Sequence, residues 1–164
     1  MSAKFTLYAI GALAAAFAWG QPGEADRTFH FEHTEGTQSI MEVATVIRSI
    51  GEIRELTADA EKRTMTVRGT GAQIALAEWL FHELDSPGPG TPHEYKLAGS
   101  DEVVRVDYVT AAETLRGFQQ IAVEVRSATR IRRLFTYNAP RAIVMRGTPE
   151  QLAMAGRLIR ERSR

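Results

Sequence analysis

The feature that most constrains this chain is that it contains one stretch twice. Arg68-Gly69-Thr70-Gly71-Ala72-Gln73 returns as Arg146-Gly147-Thr148-Pro149-Glu150-Gln151, displaced by 78 positions. The same displacement aligns residues 53–85 with 131–163 without a gap. Of those 33 positions 12 are identical: Ile53, Arg54, Leu56, Arg63, Arg68, Gly69, Thr70, Gln73, Ala75, Ala77, Leu80 and Glu83. Further back it pairs Ala44, Arg48 and Ser49 with Ala122, Arg126 and Ser127. A fixed period makes the fold a tandem of one small unit, whatever each unit does.

Hydrophobic periodicity gives the unit its elements. Residues 28–33 alternate apolar and polar, as a half-buried strand does. Ile40, Val43, Ala44, Ile47 and Ile50 share one face of a helix. Thr37 or Ser39 is placed to cap its start, and Gly51 to take a left-handed conformation at its end. Strands are expected at 53–58 and 64–68, joined by a polar hairpin, with Met65 and Val67 on the inner face. Thr70 followed by Gln73 is a capping box that opens a helix running to about Leu84. Thr148 and Gln151 repeat it, with Pro149 at the favoured first helical position. Ser86-Pro87-Gly88-Pro89-Gly90-Thr91-Pro92 is the clearest boundary. Beyond it come one interrupted strand or two short ones over 93–97 and 103–109, a helix over about 111–126, strands at 131–137 and 142–146, and a last helix from Pro149. The expected fold is α+β: two tandem βαββα sandwiches, over 28–86 and 93–164 with a linker at 87–92, each a small three-stranded sheet covered on one face by two helices. Gln21 to Arg27 reads as a flexible leader.

The pattern resembles the small periplasmic N-domains of secretins and the related short N-terminal domain of secretins and TonB-dependent receptors. Residues 64–70, Gln73-Ile74-Ala75-Leu76-Ala77 and Leu84-Asp85 carry the resemblance, and residues 142–151 repeat it. It covers most of residues 28–164, and its motif is a folding pattern. It implies domains that stack into rings or dock partners by surface complementarity, without chemistry. The chain has no secretin β-barrel region, so a channel of its own is not expected.

The first twenty residues read as an export signal. Lys4 precedes an uncharged run of 15 residues from Phe5 to Trp19, and small residues at Ala16, Ala18 and Gly20 suit signal peptidase. An uncleaved N-terminal anchor is the other reading. The expected location is periplasmic or secreted. With no cysteine, the chain holds no disulfide, thiolate metal site or lipoprotein attachment.

The balance of 20 basic and 20 acidic residues conceals an asymmetry: residues 26–92 carry 6 Lys+Arg against 11 Asp+Glu, and residues 93–164 carry 13 against 8. Oppositely charged halves invite contact, either within one chain or head-to-tail between chains; the bland alternative is two solvated surfaces. Trp79 has Arg157 as its counterpart in the second copy, which places it at the periphery, either on an interface with Leu76 or flat on its own unit. The candidate interface residues are therefore Trp79 and Leu76 with Arg130, Arg132, Arg133 and Arg141, the arginines clustering around one predicted hairpin. Expected partners are a protein of the cell envelope or a second copy.

No catalytic, metal or cofactor site is expected. His30 and Glu32 share one face of a strand, His33 takes the other, and His82 and His93 are isolated, without metal-ligand spacing. No G-x-S-x-G elbow occurs, and Asp101-Glu102 sits in a polar loop. A KH-like nucleic-acid module using the Arg-rich second unit is the alternative, but the G-x-x-G loop of that fold is missing.

Overall fold

Each copy of the repeat is built as one unit in the computed structural model, which describes residues 24–163. The expected export signal at 1–20 lies outside the described residues. The first unit comprises β1 (Ala25–His30), α1 (Thr37–Gly51), β2 (Glu55–Asp59), β3 (Thr64–Gly69) and α2 (Gly71–Leu84). Its sheet is antiparallel, in the order β1-β3-β2. The second unit comprises β4 (His93–Lys96), β5 (Val103–Tyr108), α3 (Leu115–Thr129), β6 (Arg133–Tyr137), β7 (Ala142–Gly147) and α4 (Pro149–Arg162). Its sheet has four strands, β4-β5-β7-β6, so the expected three-stranded unit is corrected by one extra edge strand. The stretch around Gly99-Ser100 turns a β4–β5 hairpin.

Three further readings of the sequence change. The leader ends earlier than expected, because Ala25, Asp26 and Arg27 pair with Gly69, Arg68 and Val67; the partner strand, not local periodicity, extends β1. The start of α1 carries no side-chain cap, since Gly36 (φ 81°) is its N-cap. Its left-handed C-cap is Glu52 (φ 53°), not Gly51. Gly51 instead packs closely on Ile53: a Cβ there would lie 2.9 Å from Ile53 Cδ1 and would move the end of that side chain. By contrast, both capping boxes form as the spacing predicts, with Thr70 and Thr148 each accepting from the backbone of its Gln partner at 3.3 Å.

The residues common to both copies hold equivalent joints. Gln73 Nε2 donates to Gly51 O (3.3 Å) and Glu52 O (3.0 Å), and Gln151 Nε2 donates to Thr129 O at 3.1 Å. Each capping glutamine thus also ties down the end of the unit's first helix, satisfying carbonyls that the helix leaves open. Arg48 donates to Leu56 O, and Arg126 to Leu134 O, linking that helix to the next strand. Arg63 (φ 52°) and Arg141 (φ 55°) take the left-handed position of each hairpin. Their guanidiniums reach carbonyls of the segment entering the first helix: Glu32 and Thr34 in one unit, Glu113 in the other.

The core does not divide at the linker. One buried cluster joins Ile40, Val43, Ile47, Met65, Leu76 and Leu80 of the first unit to Val104, Val106, Tyr137, Ala142 and Val144 of the second. A separate cluster, with Phe118, Leu134, Ile143, Met145 and Leu152, lies between the second sheet and α3/α4. The layers therefore run sheet β1-β3-β2, helices α1/α2, sheet β4-β5-β7-β6, helices α3/α4. The second sheet is covered on both faces.

Candidate interaction surfaces

The seam between the units is where the acidic half meets the basic half, within one molecule. Glu52, the left-handed C-cap of α1, pairs with Arg133 and with Arg146 (3.0 Å). Arg146 also donates to Ile50 O (3.0 Å) and pairs with Glu102 at 2.7 Å. At the β6–β7 turn Asn138 donates twice to the Glu42 carboxylate of α1, from its backbone N–H at 2.9 Å and its side-chain amide at 2.8 Å. At the far side, Glu83 of α2 pairs with His93 at 2.9 Å. The Tyr108 hydroxyl donates to Glu83 O at 2.8 Å. Burial, with the nearby Glu83 and Tyr137, pushes the Tyr108 phenol up to about 12. Burial likewise raises Tyr137.

This arrangement separates the candidate interface residues. Leu76 is 2 % exposed, a core side chain with no surface to offer a partner. Trp79 is half-buried, and its ring stands 5.3 Å from that of Tyr95, so the second unit of its own chain covers it. Arg133 is engaged with Glu52, and Arg141 with Glu113 O. Arg130 and Arg132 are exposed, at the C-terminal end of α3. The arginine cluster that a phosphate-binding reading needs is thus split, with Arg133, Arg141 and Arg146 holding carboxylates and carbonyls in cis.

Why the seam forms is written in how the two copies differ. Displaced by 78 positions, Asp26, Thr28, Thr57, Thr64 and Thr66 of the first sheet fall on Val104, Val106, Phe135, Ala142 and Val144 of the second. The first set forms a polar outer face, with Thr28 and Thr66 hydrogen-bonded to each other at 3.0 Å. In the second set Val104, Val106, Ala142 and Val144 are fully buried against α1 and α2. The helices are exchanged in the opposite sense. Val46, Leu76 and Trp79 on α1 and α2 become Glu124, Met154 and Arg157 on α3 and α4. Leu76 at 2 % exposure becomes Met154 at 40 %. Leu115 (52 %) and Val123 (59 %) are also open on α3. The sequence carried this signal in the contiguous apolar run from Ala142 to Met145 against the alternating run from Thr64 to Val67. That contrast marks a strand covered on two faces against one covered on a single face.

Among the described residues no group of three or more His, Asp or Glu is placed to hold a metal ion. His33 is absorbed structurally: its ring meets Asp85 O at 2.8 Å. The Asp85 carboxylate accepts from the backbone N–H groups of Glu32, His33 and Thr34 at 2.8, 3.1 and 2.6 Å. The Leu84-Asp85 element of the resemblance is thus a clamp on the chain leaving β1. No described helix is long and apolar enough to cross a membrane.

The fold defines the class as a tandem of βαββα-type units, stacked helix pair on sheet. Among solved structures the chain is similar to the N-terminal domain of the secretin XcpQ from Pseudomonas aeruginosa, at 13 % identity and a TM-score of 0.36, covering 86 % of this chain and 62 % of that one. It is also similar to ExeD of Aeromonas hydrophila, at 11 % identity and a TM-score of 0.32, covering 85 % of this chain and 28 % of that one. A third likeness is to the ETEC pilotin–secretin AspS–GspD complex, at 14 % identity and a TM-score of 0.32, covering 85 % and 24 %. The chain thus spans less than two thirds of the length of each. No family model matches the chain, and no curated protein matches it. These likenesses concern fold, and the roles of individual residues are read from this chain alone.

Proposed function

We propose that the chain is an exported, non-enzymatic protein-interaction module of the cell envelope, serving a periplasmic or secreted assembly. The observation that carries this reading is the seam. One unit already grips another by fitting a helix pair to a sheet face, with carboxylate–arginine pairs and hydrogen bonds around a buried apolar centre. That is the anatomy of a protein–protein interface. The surface left for an outside partner includes the open side chains of Leu115, Val123 and Met154 on α3 and α4, and the exposed Arg130 and Arg132. Methionine and arginine are among the residues enriched at interfaces.

The test is site-specific photo-crosslinking in cells, with a photoreactive residue introduced at Val123, Arg132 or Thr28. A discrete adduct in the envelope fraction from at least one position is the expected result. Absence of any adduct from all three positions, with the protein present in that fraction, would overturn the reading.

A further inference from the structure

We propose that the free edge of β1 is a strand-addition site, which takes an extended segment of a partner protein antiparallel to β1 with a carboxylate opposite Arg27. The proposal rests on the docking reading above and names one place and one mode for it. It starts from a difference between the two sheets. β1 and β5 occupy equivalent positions, paired to β3 and β7 in the same register. On its other side β5 carries β4, which pairs His93 with Val106, Glu94 with Arg105 and Tyr95 with Val104. Among the described residues no strand lies beside β1.

The backbone of β1 is prepared for such a strand. Phe31 N–H donates to Arg63 O at 2.9 Å, continuing the ladder between β1 and β3. Bonding alternates along an antiparallel pair, so Phe29, Arg27 and Ala25 face β3. The N–H and C=O groups of Asp26, Thr28 and His30 then face the open side. In the second unit Val109 N–H donates to Arg141 O at 3.0 Å, and the same alternation turns Val104 and Val106 toward β4. An extended chain adding to such an edge gains main-chain hydrogen bonds without altering the fold.

The side chains state what the segment carries. Arg27 stands at the position of Arg105, whose guanidinium binds Asp107 and reaches across to Glu94 of β4 at 2.9 Å. Among the described residues Arg27 pairs with Glu78, at 3.1 Å, and its side chain is 56 % exposed. A carboxylate at the place of Glu94 would complete it. A groove alongside, lined by Arg27, Phe29, His30, Glu78, Phe81 and His82, receives the side chains that such a segment turns toward α2. Asp26 and Arg27 discourage indiscriminate pairing, as charges on edge strands do, and select a complementary sequence.

The probe is a synthetic peptide copying residues 91–98 of this chain, Thr-Pro-His-Glu-Tyr-Lys-Leu-Ala, titrated into the ¹⁵N-labelled full-length protein. Saturating amide shifts at Asp26, Thr28 and His30 are expected, and a peptide with Lys in place of its Glu should bind about tenfold more weakly, the loss of one charge-assisted hydrogen bond. An Arg27→Glu protein should invert that preference, while the peptide comparison leaves the protein's own folding untouched. No saturating shift at those amides in the millimolar range, or no dependence on the peptide's charge, overturns the proposal. Hydrogen exchange on the free protein closes the remaining routes. The three amides should exchange quickly; their protection in a monomer would mean that residues preceding Glu24 already cover the edge, and in a dimer that a second copy does, and either result overturns it. An adduct at Val123 or Arg132 with none at Thr28 would leave the docking reading standing and remove this one.

Discussion

At the scale of single residues, identity between the copies marks the joints of the unit. Gln73 and Gln151 each complete a capping box and hold the end of the preceding helix. Gln73→Ala or Gln151→Ala should each lower stability by about 1–2 kcal/mol, the loss of a cap together with a partly buried hydrogen bond, as read from urea unfolding. The glycines before them lie against the same side chain: a Cβ on Gly69 or Gly147 would stand 2.8 or 2.9 Å from the capping glutamine's Oε1 and would displace it from the cap. Tyr108 gives a pH signature. Its phenol titrates higher in the folded chain, at about 12, than in the unfolded one. The folded state therefore retains the proton longer, and the contribution is complete below pH 10, then declines as pH rises toward 12. Tyr108→Phe should flatten that alkaline loss, by at most about 2 kcal/mol after allowing for partial exposure. Paired urea titrations of the two proteins between pH 8 and pH 12 measure the difference.

At the scale of elements, the seam depends on which strand positions are apolar. Val106→Thr together with Val144→Thr gives the second sheet the outer face of the first. The pair should destabilise the protein by about 1–3 kcal/mol, since two hydroxyls leave water for the apolar α1/α2 face and have only each other to bond, as Thr28 and Thr66 do in the first sheet. Unfolding should then separate into two transitions where the parent shows one; a single unshifted transition would contradict the layer order. Most elements were legible in the sequence, because helix caps and strand alternation are local. Glu52 was missed as a C-cap because a left-handed glutamate has no local signature, whereas Gly51 has one. β4 is ambiguous in the sequence because a four-residue edge strand is defined by its partner, Val103 to Val106. Leu76 lies at the seam inside the chain, and the sequence alone does not say so: a helix buried on two sides and a helix with an apolar outer patch look alike until the sheet that covers the second side is known. Comparing Thr64 and Thr66 with Ala142 and Val144 would have located that sheet.

At the scale of the whole molecule, the −5 and +5 halves settle their attraction internally, through Glu52, Arg133, Arg146, Glu42 and Asn138. Head-to-tail stacking of copies would need the polar threonine face of one molecule to receive the α3/α4 face of the next, where Glu124 and Arg157 replace Val46 and Trp79. Those exchanges make the α3/α4 face a poor match for the threonine face. Light scattering on the purified protein should accordingly give a monomer mass at low and at high salt. A mass that falls as salt rises would instead place charge pairs between molecules.

The alternation of covered and uncovered faces has a consequence for how the chain is made. Until the second unit emerges, the first presents Val46, Leu76 and Trp79 to water, and the second, made alone, would present Val104, Val106 and Val144. Each half is the other's chaperone. These seam residues meet water while the polypeptide is incomplete, and a version cut at the linker should be recovered from the insoluble fraction unless both pieces are produced together.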